Sequence, residues 1–286
     1  MKKKLFASLL VAVMLLSLAA CGQKNDDVVK DDGANEMVWP KVGLVDDIID
    51  YSLHEEHKQE KHKENDVGLF TDLVNYSNLS AAMLAMEKGE VGMLSLSKSS
   101  ADYVAAHNDK FQILALTEGG DGGNISHFSM MTTDSNTELY DILDSGIKQL
   151  KENGTLDKLI EENLKAYITS DPIPAEMPKF DGAKTYKIAI TGDRPPMDFV
   201  AADGKAAGFN VALLTEIANI AQVNFEIVQI DSGARLTSLA SGAVGAVFWT
   251  ESIGCYSCGE VLSSAPEGTV ITEPYFSDSS VLLTLK

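Results

Sequence analysis

Cysteine is nearly absent: the 286 residues carry three, Cys21, Cys255 and Cys258, with a single C-x-x-C and no second one. No histidine stands near that pair, so zinc has little support, and no βαβ context makes it a thioredoxin-like site. Positive charge is also scarce, with 23 Lys and Arg against 42 Asp and Glu and a formal net charge of −19. So acidic a chain repels phosphate backbones and anionic head groups, which argues against nucleic-acid binding and peripheral membrane docking. No G-x-S-x-G and no convincing Ser/His/Asp order occurs. The glycine-rich run 119–124 lacks the Lys-Ser/Thr of a phosphate loop. His54 and His57 sit at i, i+3 without the H-E-x-x-H spacing, among Lys58, Glu60, Lys61 and Glu64, and read as a solvated helix face. No metal, no cofactor and no enzymatic activity are expected.

What is present begins at the N-terminus. Lys2, Lys3 and Lys4 precede an apolar run that ends in Leu18-Ala19-Ala20-Cys21 and falls short of the ~20 residues that span a bilayer. This pattern predicts an export signal over residues 1–20. Leu-Ala-Ala-Cys resembles the bacterial lipobox, and that resemblance implies cleavage before Cys21 and lipidation of its thiol. Such a protein is expected outside the cytoplasm, on the outer face of the cell membrane, held there by its N-terminal lipid. Losing residues 1–20, with three lysines and no acid, takes the net charge to −22. In an exported protein a Cys255–Cys258 disulfide is the favoured reading, with free thiols or metal and redox chemistry as alternatives. Residues 21–36 are too polar to bury a core and read as an acidic flexible tether. Residues 168–184, with Pro172, Pro174, Pro178 and Gly182, read as an internal linker.

Between these spacers helical and strand patterns alternate. Ser77 is placed to cap a helix carrying Leu79, Ala82, Met83 and Met86; Gly89 stops it, and Val91 to Leu94 follows as a strand. The unit returns later: Asp231 as cap, Leu236 and Leu239 on the helix, Gly242 as stop, Val244 to Phe248 as strand. Gly89, Val91 and Gly92 match Gly242, Val244 and Gly245 at one constant offset, which marks two related αβ units. Strands are also expected at Tyr186–Thr191 and Phe225–Ile230, with a helix at about 210–221 between them. The pattern predicts an α/β fold whose mostly parallel sheets are flanked by helices.

Several motifs of the C-terminal third carry a family resemblance: Thr191-Gly192-Asp193-Arg194-Pro195-Pro196-Met197, Asp203-Gly204-Lys205 through Gly208-Phe209-Asn210, Leu239-Ala240-Ser241-Gly242, and Thr272-Glu273-Pro274-Tyr275-Phe276-Ser277-Asp278. Together they resemble the first lobe of the bacterial extracellular solute-binding proteins of family 3, the amino-acid-type receptors of ABC importers. Leu84 to Val91 and Ile147 to Leu159 are similar to that family's second lobe and closing helices. The resemblance implies a two-lobe periplasmic-binding fold of type II in circularly permuted order. Residues 37–125 would be the lobe 2-like domain, 126–167 a hinge strand and closing helices, and 185–286 the lobe 1-like domain. It further implies a monomer that closes on a small polar solute and delivers it to an ABC permease. A sensory or accessory binding lipoprotein, and a dehydratase-like enzyme on the same fold, are the alternatives.

In such sheets the ligand lies outside the carboxyl ends of the strands. That rule places Asp193, Arg194 and Met197 at the cleft, then Asp231, Ser232 and Arg235, then Trp249, Thr250 and Glu251, with Ser95 and Ser97 opposite. Packing of Met197 and Trp249, and turn capping by the polar residues, is the alternative. Family members that bind α-amino acids carry an arginine after the strand equivalent to Val244–Phe248, and no arginine follows Arg235 here. Ser97 stands where the ammonium-binding carboxylate is expected. Ordinary α-amino acids are therefore disfavoured. Arg194 and Arg235 could clamp an anion, or Asp46, Asp47, Asp193 and Glu251 could meet a cation.

Overall fold

The computed structural model describes residues 41–45, 73–114, 125–170, 174–254, 261–263 and 265–286, without the side chains of 251–254 and 261–263. The leader, Cys21, the tether, Asp46 and Asp47, the His54–His57 segment, the glycine run 119–124, and Cys255 and Cys258 lie outside the described residues.

One lobe starts with β1 (Val42–Val45), which pairs in parallel with β2 (Leu73–Tyr76) on one side and β3 (Met93–Ser97) on the other. Helix α1 (Leu79–Glu87) links β2 to β3, burying Leu79, Ala82, Ala85 and Met86 at helical spacing. Its cap is Asn78 rather than the expected Ser77: the Asn78 side chain accepts from the Ala81 N–H. The helix ends in a Schellman turn, with Gly89 at φ 76° and bonds from Gly89 N to Met86 O and from Glu90 N to Ala85 O. Helix α2 (Lys98–His107) and β4 (Phe111–Leu114) complete the segment.

The other lobe begins with β5 (Ile125–Thr133), α3 (Thr137–Glu152) and α4 (Thr155–Ile160). Leu139, Leu143, Ile147 and Leu150 form the buried stripe of α3. After the linker come β6 (Thr185–Ile190), the short three-stranded sheet of β7 (Asp193–Arg194), β8 (Asp198–Val200) and β9 (Ala206–Ala207), α5 (Phe209–Ala221) and β10 (Asn224–Gln229). A 3₁₀ turn at Ser232–Ala234, helix α6 (Arg235–Ala240), β11 (Ala246–Gly254), β12 (Val261–Ser263), β13 (Thr269–Ile271) and β14 (Phe276–Leu285) follow. The linker is docked rather than loose: Asn224 bonds Phe180 and Ala183, and Ala175, Met177 and Phe180 pack against the lobe's core.

The sheet path is β10-β6-β11-β5-β14-β3-β1-β2, so each lobe has three parallel strands bordered by an antiparallel one. β14 serves both lobes. Phe276–Ser279 pairs with β5, and Ser280–Leu283 pairs with β3. Val42 and Leu283 thus lie on the two strands flanking β3. The β5 segment, read as a hinge strand, pairs with β11, β13 and the first part of β14. Among the described residues the two largest of three buried clusters fill the two lobes, and the third gathers Met131, Ala189, Leu239, Val244 and Val247. Phe128, Leu143, Ile188, Phe209, Leu213, Phe248 and Tyr275 fill the larger, and Leu94, Met86, Phe111, Val104 and Leu283 the smaller.

Candidate functional site

The carboxyl ends of the parallel strands in the two lobes face each other, and among the described residues Asp193, Arg194 and Ser232 make hydrogen bonds across from one to the other. The Asp193 carboxylate, at the end of the loop after β6, accepts from the Leu79 N–H at 2.6 Å, the first turn of α1. Arg194 Nη2 donates to Val45 O at the end of β1, at 3.2 Å. Ser232 N, after β10, donates to Ser77 O, after β2, also at 3.2 Å. The helix N-terminus is a favourable seat for the Asp193 charge. Burial nevertheless pushes the Asp193 carboxyl above its usual range, with the Asp198 charge adding to the rise; the Leu79 N–H, the Arg194 charge and the Thr191 hydroxyl only partly offset it.

Behind this edge lies a buried polar network that the sequence reading missed. Asp198 is fully buried and accepts from Thr191 Oγ1 (2.9 Å), Gly192 N (2.7 Å), Asn210 Nδ2 (2.8 Å) and Trp249 Nε1 (2.6 Å). Four donors on one carboxylate satisfy it without a cation, and they tie β6, the β7–β8 hairpin, α5 and β11 together. Trp249 reaches Asp198 because β11 bulges: the register to β5 slips between Val247 and Thr250, and Trp249 takes φ 66°. Its ring then carries the Arg194 guanidinium at 4.6 Å and meets Phe128 edge-on at 5.3 Å. The acid directly after the Thr191–Met197 motif, just ahead of the apolar Phe199 and Val200, was the available signal for Asp198.

The expected site residues therefore separate. Asp193, Arg194 and Ser232 do lie where the lobes meet. The Arg235 guanidinium, read as a possible anion clamp, is fully buried and donates to the carbonyls of Ser232, Phe248 and Trp249, closing the 3₁₀ turn onto β11. Met197 and Trp249 are buried in the larger core. Asp231 is exposed, and its side chain makes no cap bond at the turn it precedes. Thr250 sits opposite Ser129 on β5, both buried; the Glu251 backbone is opposite Phe128. Ser95 falls within β3, between Leu44 and Leu282, because the strand runs on to Ser97, whose hydroxyl bonds Ser100. Asp278, on the shared strand, holds the N–H and hydroxyl of Ser99 at the start of α2. Burial raises its carboxyl as well. Among the described residues no cluster of metal-ligating side chains occurs.

No curated protein matches the sequence significantly. Among solved structures, the ligand-binding component of an ABC-type import system from Staphylococcus aureus, with zinc bound, is 12% identical with a TM-score of 0.41, over 85% of this chain and 65% of that one. The aliphatic sulphonate binding protein of Escherichia coli is 9% identical, with a TM-score of 0.36, over 85% and 64%. A lipoprotein of the YaeC family from Enterococcus faecalis is 11% identical, with a TM-score of 0.38, over 86% and 85%. This chain thus spans somewhat under two thirds of the first two. The sequence of the larger lobe matches a family model directly: residues 186–264 are similar to the bacterial extracellular solute-binding proteins, family 3.

Proposed function

We propose that this chain is an extracytoplasmic receptor that closes its two lobes on a small polar solute and delivers it to an ABC permease, anchored by lipid at Cys21. The observation that carries the reading is the meeting of strand ends across the lobes: Asp193 on Leu79, Arg194 on Val45 and Ser232 on Ser77. A solute held between those ends touches both lobes and favours their closed arrangement by its differential affinity. The shared strand β14 supplies the bending element, and the permuted lobe order is supported by its completing the smaller lobe's sheet beside β3. The missing arginine after Arg235 supports a ligand other than a simple α-amino acid.

Ligand-dependent thermal stabilisation tests the receptor reading: a true ligand at a hundredfold excess over its dissociation constant adds about 2.7 kcal/mol. A screen of amines, organic acids, peptides and amino acids that moves the melting temperature with none of them counts against it. Cys21→Ala is expected to release the protein from the membrane fraction with its fold intact; unchanged retention refutes the lipid anchor.

A further inference from the structure

The bonds that join the lobes fall into two groups by their distance from the shared strand. β14 passes from β5 to β3 between Ser279 and Ser280. Just before that point Asp278 accepts from the Ser99 N–H at 2.8 Å and from the Ser99 hydroxyl at 2.7 Å, in the first turn of α2. Ser97, which precedes α2, makes no side-chain cap bond, so the shared strand supplies the cap. The other group lies far from this pivot. Arg194, after β6, bonds Val45 of β1; Ser232, after β10, bonds Ser77, after β2; Asp193 bonds Leu79. In the sheet path β1 and β2 stand two and three strands from β14, and β6 and β10 three and four. At the usual strand spacing of about 4.8 Å these are arms of roughly 10–19 Å. A rotation of about 20° around β14, on an arm of about 15 Å, parts the ends by roughly 5 Å, which breaks the outer bonds and hardly moves Asp278.

Resting on the receptor reading above, we infer that this receptor is closed at rest. Asp193, Arg194 and Ser232 latch the mouth, Asp278 stays bonded as the lobes part, and a solute enters only when the latch opens. Donor and acceptor in each latch bond are protein atoms, and the acceptors of Arg194 and Ser232 are backbone carbonyls, so the bonds form with or without a solute. Each hydrogen bond shifts an open–closed equilibrium roughly two- to tenfold, and bonds that break together multiply. Burial works against the Asp193 carboxylate, whose pKa it raises, whereas the Ser232 N–H brings no charge into the interface. The latch therefore does not depend on Asp193 alone.

Amide hydrogen exchange, resolved by residue with NMR, reads the latch on the solute-free full mature chain. Leu79 and Ser232 each open a helical turn, where an N–H has no partner within the turn, so their protection reports the bond across the lobes. In the wild type both are expected to exchange at least about tenfold more slowly than in an unstructured chain, and Ser99 as well. Asp193→Ala removes the acceptor of Leu79. Because the latch bonds break together, it should speed exchange at Ser232 as well as at Leu79, by about two- to tenfold, and leave Ser99 unchanged. Ser232→Pro removes the other N–H at the first position of its turn, where proline is tolerated, and should speed Leu79 in the same way. It covers the case in which Asp193→Ala fails to fold. Unprotected Leu79 and Ser232 in the wild type overturn the inference, as does a variant that exposes only its own partner, or exposes Ser99 too. Any of these leaves the receptor reading to the thermal-shift screen. A protected latch beside a silent screen counts against the receptor reading alone.

Discussion

The two lobes repeat one topology and differ in how they are filled. In each, the second strand, the first and the third stand in that order in parallel, with an antiparallel strand beyond: β2-β1-β3-β14 in one and β10-β6-β11-β5 in the other. The glycines that match in sequence also match in bonding. Gly92 N donates to Lys41 O at 2.9 Å, and Gly245 N donates to Lys187 O at 2.8 Å, at the same place in the two sheets. Gly89 and Gly242 turn the chain at φ 76° and 72°. The cores diverge. Helices α3, α4 and α5 cover the larger lobe's sheet with aromatic and branched side chains, while the smaller closes around Phe111 with a strand supplied from the other end of the chain. A shared backbone plan thus supports one lobe that is thickly packed and one that depends on a distant segment.

The largest test of that difference is Phe111→Ala, which removes the fully buried ring of the smaller core and should cost about 3–5 kcal/mol. Hydrogen exchange should then lose protection in β3, β4 and α2 while α3 and α5 keep theirs. Equal loss in both lobes would mean that they fold as one unit. Asp198→Ala acts on the other side. It strands Trp249 Nε1, Asn210, Thr191 and the Gly192 N–H, and should cost about 1–3 kcal/mol by urea unfolding, with a change in tryptophan fluorescence. An unaltered emission spectrum would contradict the role given to the network.

Gly89→Ala and Gly242→Ala probe the repeat itself. Neither Cβ meets an atom within 4 Å, so only the left-handed backbone is penalised, by about 1–2 kcal/mol at each site. Markedly unequal costs would break the equivalence of the two units.

The smallest effect is the pH dependence of the acids between and within the lobes. Burial raises Asp193 and Asp278 above the ordinary carboxyl range. A folded-state value above the unfolded one means that folding takes up protons, so their share of stability grows as pH falls from 7 through the folded value. It levels off below the unfolded value of about 3.9. Unfolding of wild type and of the Asp193→Asn, Asp278→Asn double variant at pH 7 and pH 5 should show the wild type gaining more on acidification. A larger gain in the variant would reverse the sign.

The αβ units were legible because their signals are local: helical spacing at Leu79, Ala82 and Met86, and glycine stops at positions 89 and 242, appear in any short window of the chain. Boundaries moved by a residue or two where side-chain capping decided, as at Asn78. The candidate site was legible only in part. Asp193, Arg194 and Ser232 follow from the rule that ligands sit beyond strand ends. The backbone partners of Arg235 were not legible, because a guanidinium's partners depend on which carbonyls the fold brings to it, and the bulge before Thr250 is not written in any spacing.

From the sequence alone came the acidic charge, the repeated unit and the family motifs, all properties of neighbouring residues or of composition. Only the tertiary structure decided that β14 serves two sheets, that Asp198 gathers four donors, and that an oxygen of Asp193 is buried while both arginines are engaged. Those facts depend on which distant atoms come within about 3 Å of one another, and burial makes each such meeting count.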